Sequence, residues 1–145
     1  MNTEERFKEW EHPKIEEGKL TDWHWVVKGV HRLTLGHKTD IGAFTYIQAE
    51  EEVVIEDYVE IGGGCRIYSV STIDNKRGKV HIKKKAKIGA GSTILPGVTI
   101  GENSIIGAHS LVRDHVPDNS VAWGTPAKVM GVIVEGKIIL HKKGN

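Results

Sequence analysis

Aliphatic residues recur at every sixth position through the middle of this 145-residue chain. From Ile82 the series runs Ile82, Ile88, Ile94, Ile100, Ile106 and Val112 without a slip. Upstream it runs Leu35, Ile41 and Ile47, shifts by two, and resumes as Ile55, Ile61 and Ile67. The fifth residue of most hexads is slim or β-branched: Thr39, Thr45, Val59, Cys65, Ser71, Ala86, Ser92, Val98, Ser104 and Ser110. Glycine often follows the lead aliphatic, as at Gly42, Gly62, Gly89 and Gly107. A period of six matches neither a helix nor an alternating strand. It suits a parallel β-helix, in which a short strand and a corner together use six residues and three faces make a coil of about eighteen. The lead aliphatic then points inward, and the fifth residue must be slim because it shares the same narrow interior. An ordinary sandwich with evenly spaced strands is the competing arrangement, and six consecutive hexads in register argue against it.

The flanks and interruptions read differently. Asn2–Glu11 has the pattern of one short helix, with Phe7 and Trp10 on one side and Pro13 ending it. Residues 1–34, with Trp23-His24-Trp25 near their middle, are expected to form an N-terminal helix and a cap over the open end of the solenoid. Residues 35–117 carry the repeat, and residues 118–145 are expected to hold a turn segment, a hairpin over Gly131–Leu140 turning at Glu135-Gly136, and a charged tail. Two insertions break the period: the acidic Glu50-Glu51-Glu52 and the stretch Ile73–His81. Insertions in a solenoid leave the stack as loops and are frequent carriers of function.

Composition narrows the classes. The formal net charge is +1, so nothing in it favours nucleic acid or an anionic membrane as partner. No apolar run reaches membrane-spanning length, and Met1–Trp10 is charged and unlike a signal peptide. A single cysteine, Cys65, has no internal disulfide partner and falls on a slim inward position, which fits a reducing, cytoplasmic setting.

The stretch from Ile88 to Val112, followed by Val116-Pro-Asp-Asn and Gly124-Thr-Pro-Ala-Lys128, resembles the hexapeptide-repeat acyltransferases. That family includes galactoside and maltose acetyltransferases, serine acetyltransferase and acetyltransferases of amino sugars in surface polysaccharides. The resemblance implies an all-β chain: a left-handed parallel β-helix of about four to five coils, assembled as a homotrimer. It also implies acetyl-CoA as co-substrate, held between subunits, with a small-molecule acceptor. Ala90 and Ala108 lie one full coil apart and match positions whose backbone holds the pantetheine arm. Arg113 matches the segment near the adenine, Thr125 the turn segment beside the cofactor, and Lys128 a basic residue on a phosphate. The family's further basic residue is Gly131 here.

Acyl transfer from a thioester to a hydroxyl needs a general base, usually histidine. In galactoside-type relatives that histidine follows the coil matching Ile67–Thr72; here the sequence is Ser71-Thr72-Ile73-Asp74-Asn75 and has none. His81 and His109 are the alternative bases. An amine acceptor needs positioning more than a strong base, and Asp74 and Asn75 then become the catalytic and substrate-holding pair. Acceptors of another kind (an amino acid or an antibiotic) and a non-catalytic binding scaffold stand as the rival readings. The γ-class carbonic anhydrases share the β-helix, but the near pairs His31/His37 and His109/His115 lack their spacing, so no metal is expected.

Overall fold

The computed structural model describes residues 3–142. Three ladders of short parallel strands wrap one interior, as the hexad period requires. The first face stacks Val26–Lys28, Tyr46–Gln48, Arg66–Tyr68, Thr93–Ile94 and Leu111–Val112. The second stacks Leu33–Leu35, Val53–Ile55, Val80–Ile82 and Thr99–Ile100, extended by a bridge from Ile100 to Val116. The third stacks Asp40–Ile41, Glu60–Ile61, Lys87–Ile88 and Ile105–Ile106, and is continued by Ser120–Gly124. The chain passes from first to second to third face and back, which is the β-helix expected from the repeat and consistent with the left-handed coil of the resemblance.

Registers confirm the inward columns. Ile82 pairs with Ile55 and Ile100, Ile88 with Ile61 and Ile106, and Ile94 with Ile67 and Val112. All of these are buried, and each such side chain contributes about 1.5–3 kcal/mol by leaving water. The slim residues between them do more than save space. Thr45 Oγ1 donates to the Gly62 carbonyl at 3.2 Å, Cys65 Sγ to Gly89 at 3.3 Å, and Ser92 Oγ to Gly107 at 3.1 Å. The corner between third and first faces is thus sewn coil to coil by one side-chain donor at a time, and no buried side-chain nitrogen or oxygen among the described residues lacks a partner.

Several expectations need correction. The N-terminal helix spans only Thr3–Arg6, not Asn2–Glu11, and Asn2 lies outside the described residues. Trp25 is buried against the bottom of the stack, whereas Arg6 reaches Asp40 and Glu60 and Trp10 reaches the Thr39 carbonyl, so the stretch after the helix turns along the side of the third face rather than continuing as a helix. Parallel pairing begins at Val26, inside the segment expected to be cap, because Val26–Lys28 continues the inward pattern of Tyr46–Gln48. Ser71 is not an inward slim residue: the chain leaves the stack after Ser69, and Val80 takes the buried position. The two-residue phase shift is a widened corner ending at Glu52, held at φ 87°. The C-terminal hairpin pairs Ala127–Val134 with Lys137–Leu140, turning at Glu135 and Gly136 as expected. Its strand begins at Ala127, earlier than Gly131; residues 143–145 of the tail lie outside the described residues.

Candidate functional site

The corner between third and first faces repeats one local design. In Ile88-Gly-Ala-Gly-Ser92, Gly89 packs so closely on the next coil that a Cβ there would lie 2.4 Å from the Ala108 nitrogen. Gly91 adopts φ 72°, a conformation glycine takes without steric cost. Between them Ala90 is pushed to the outside and is exposed, as is Ala108 one coil above. The His109 amide donates to the Ala90 carbonyl at 2.9 Å, fixing the two coils in register. The N–H groups of Ala90 and Ala108 themselves make no hydrogen bond among the described residues. They form a smooth ridge with free donors about 4.8 Å apart, the spacing of stacked strands.

At its upper end the ridge is closed by the turn after Ser120–Gly124. Trp123 packs over Gly107, where a Cβ would lie 2.8 Å from the Trp123 Cβ. Thr125 Oγ1 lies 3.5 Å from the His109 carbonyl. Lys128 pairs with Trp123 across the antiparallel strand and is exposed. Ala90, Ala108, Thr125, Lys128 and His109 therefore gather at one corner. Arg113 does not join them: it lies past the far end of the first face, with Nε 3.6 Å from Asp114 Oδ2.

The second insertion stands at that far corner, between first and second faces. Val70–Ser71 and Lys76–Arg77 pair as an antiparallel hairpin carrying Asp74 and Asn75 at its tip, with Asn75 at φ 57°. The Ser71 hydroxyl and the Lys76 amide hold the Asp74 carboxyl below the usual carboxylate range. The hairpin is pinned by the other insertion: Arg77 Nε lies 2.7 Å from Glu51 Oε1, and Lys79 Nζ 3.2 Å from Glu52 Oε1. The complementary signs of Glu50-Glu51-Glu52 and Lys76–Lys79 are the sequence signal for this pairing, which the hexad count alone misses.

His81 lies within a strand of the second face rather than in the loop, half-buried, between Val54 and Thr99. Its Nε2 meets the Glu56 carboxylate, whose other oxygen accepts the Lys84 amide at 3.1 Å. Glu56 was not singled out from the sequence, because a carboxylate 25 residues away becomes a neighbour only through the stacking of coils. Beside it the Thr99 amide donates to His115 Nδ1 at 2.9 Å. Within one chain, then, Asp74 and Asn75 occupy one corner, His81 the second face, and the ridge the opposite corner. Among the described residues no group of three or more His, Cys, Asp or Glu is placed to hold a metal ion, and no helix is long and apolar enough to cross a membrane.

Comparison with known proteins agrees with the fold. The family described as bacterial transferase hexapeptide (six repeats) matches residues 79–114. The chain is 41% identical over 102 residues to a galactoside O-acetyltransferase of Lactococcus lactis subsp. lactis (strain IL1403), covering 67% of this chain and 45% of the relative. It is similar to a solved hexapeptide-repeat-containing acetyltransferase of Vibrio cholerae O1 biovar eltor complexed with acetyl coenzyme A. That likeness has a TM-score of 0.71 and 26% identity, over 74% of this chain and 64% of the other. It is also similar to a Bacillus cereus N-acyltransferase in complex with dTDP and 3-hydroxybutyryl-CoA, with a TM-score of 0.67 and 26% identity, over 78% of this chain and 68% of the other. The chain spans about half the length of the curated relatives it matches, 45% and 57% of the first two. Residues 79–114 thus carry the bacterial transferase hexapeptide repeat, and the fold is similar to that of a hexapeptide-repeat acetyltransferase.

Proposed function

We propose that this chain is a CoA-dependent acetyltransferase acting on a sugar or amino sugar. The observation that carries the reading is the ridge: two exposed alanines one coil apart, with N–H groups free of intrachain bonds. A pantetheine arm presents amide carbonyls along an extended chain, and stacked donors beside side chains too small to obstruct it suit such a ligand. The fold shared with an acetyl-CoA complex supports the same ligand. Thr125 and Lys128 at the upper end suit its polar, anionic part, the lysine as a point charge on phosphate. Acetyl-CoA, when bound, supplies an acetyl thioester and leaves as the thiol.

The acceptor's hydroxyl or amine attacks the thioester carbon as the C–S bond breaks, and the proton it loses needs a base. Asp74 and Asn75 hold the acceptor, Asp74 ionised throughout the neutral range because its carboxyl is held low. His81, oriented by Glu56, is the base for a hydroxyl, and His109 lies beside the ridge for the same task. The ridge and the hairpin face away from one another in a single chain, at either end of the strands of the first face. A site between copies resolves this, with the ridge of one subunit against the hairpin of the next in a homotrimer. Arg113, which lies on the hairpin side, then faces the neighbour's ridge. The C-terminal hairpin supports assembly, since Val134, Ile138, Ile139 and Leu140 are all about half exposed, between 48% and 57%. The Lactococcus relative named for galactosides favours a sugar hydroxyl, and the Bacillus cereus N-acyltransferase, solved with dTDP, favours an amine; a nucleotide-linked amino sugar of surface polysaccharide biosynthesis is the acceptor we propose for that second case. The unpaired, buried cysteine suits the cytoplasm.

Release of free thiol from acetyl-CoA, followed with sugar and amino-sugar acceptors, tests the reading. Acceptor-dependent release supports it. Release no faster than hydrolysis with every member of the panel, from a chain that nonetheless binds CoA, favours a binding scaffold instead.

A further inference from the structure

A cleft of about 380 Å³ opens between the N-terminal segment and the third face of the first coil, outside the site described above. Trp10, Pro13 and Trp23 form its walls, and the buried Phe7 and Trp25 close its base. The Trp10 indole N–H donates to the Thr39 carbonyl at 2.8 Å, and the ring packs against His12 and His37, which together fix it as a wall and leave Trp23 as the aromatic face for a ligand. Trp23 is 55% exposed although it lines the cleft, a large aromatic surface left uncovered by the fold. The polar lining is asymmetric. Arg6 is engaged by Asp40 and Glu60, whereas Glu9 and Glu11 make no ion pair among the described residues.

These features select among ligand classes. Two unpaired carboxylates at the exposed rim repel an anion and attract a cation. A sugar ring presents C–H faces that stack on indole and hydroxyls that donate to carboxylates. A protonated amine on that ring adds attraction to the Trp23 indole face and to Glu9 and Glu11. The volume is that of a small-ligand site. We infer that this tryptophan-walled cleft binds a sugar ring carrying a protonated amine.

Its location connects it with the ridge. Trp23 precedes His24, whose carbonyl accepts the Phe44 amide at 2.6 Å, and Phe44, Gly64, Gly91 and His109 occupy the same corner position in successive coils. Trp23 thus brings one wall of the cleft to the foot of the corner that carries Ala90 and Ala108, while Thr39, Asp40 and Ile41 line it along the third face. The cleft is a sugar subsite apart from the acceptor position at Asp74 and Asn75; that it serves the transfer reaction rests on the transferase reading, and its binding does not.

Calorimetric titration without CoA keeps the two apart. Glucosamine and glucose are titrated at pH 6.5 into the wild-type protein, a Trp23→Ala variant and a Glu9→Gln/Glu11→Gln double variant. The altered side chains line an open surface, and unchanged melting temperatures confirm that the variants fold. Saturable glucosamine binding is expected, with affinity about tenfold lower for glucose and for each variant, the scale of one lost cation–π or charge-assisted contact. Equal affinity for glucose and glucosamine, unchanged affinity in Trp23→Ala, or no saturable binding up to roughly 50 mM, beyond the weak limit for a small site, would each overturn the inference. Loss of acetyl transfer with binding retained would instead count against the transferase reading alone.

Discussion

The imidazole of His109 lies against Gly91 of the coil below, so close that a Cβ at Gly91 would sit 2.5 Å from His109 Nδ1. The ring is therefore parked by a missing side chain, and it flanks the Ala90–Ala108 ridge. Replacement Gly91→Ala is expected to swing the ring outward over the ridge. It also places a Cβ at φ 72°, which costs about 1–2 kcal/mol. Denaturant unfolding should show that loss, and the His109 ring resonances should move. An unshifted ring with full CoA affinity would mean that the contact has no bearing on the ridge.

Bulk on the ridge tests the ridge without testing the fold. Ala108 is exposed, and surface substitutions of this kind usually change stability by less than about 0.5 kcal/mol. Ala108→Trp is expected to weaken coenzyme A binding at least about tenfold, equivalent to roughly 1.4 kcal/mol, while the melting temperature stays near wild type.

Cys65 makes the same coil-to-coil bond as its serine and threonine neighbours. Cys65→Ser should be nearly neutral, whereas Cys65→Val leaves the Gly89 carbonyl without its donor and should cost about 1–3 kcal/mol. Burial pushes the Cys65 thiol up. The protonated thiol is favoured in the folded state, so its contribution is full below the ordinary thiol value of about 8.5 and is lost as pH rises through the folded value. Thiol reagents at neutral pH should therefore leave the native protein unmodified and label it only on unfolding.

For the hairpin, Asp74→Asn is expected to reduce turnover more than His81→Ala, with the amine acceptor showing the larger contrast. Because Asp74 titrates below the usual carboxylate range, its loss of charge should reduce rate only at acid pH below that range, leaving the profile from pH 5 to 8 flat with respect to it. Steady-state kinetics of both variants across pH reads this directly. Equal rates in both variants and wild type would show that the reacting groups lie elsewhere.

Much of the solenoid was legible because a six-residue period leaves one arrangement for Ile82, Ile88 and Ile94, each a corner apart and all inward. The corner donors at Thr45, Cys65 and Ser92 were legible as slim residues but not as hydrogen-bond donors, since the hexad count registers size alone. The site was only partly legible. Ala90 and Ala108 fall together because eighteen residues separate them, while Ala108 and Arg113 lie near in sequence yet at opposite ends of one strand. Glu56 and His81 meet across a coil lengthened by the hairpin insertion, so their separation bears no relation to the period. The N-terminal turns took their form from the third face, where Arg6 meets Asp40 and Glu60, which local propensity over Asn2–Glu11 does not encode.

The ridge is the centre of the proposed chemistry, and calorimetric titration of coenzyme A into the wild-type protein tests it most directly. Saturable binding, lost in Ala108→Trp, is the expected result. No detectable binding at millimolar coenzyme A, or equal binding by Ala108→Trp, would contradict it.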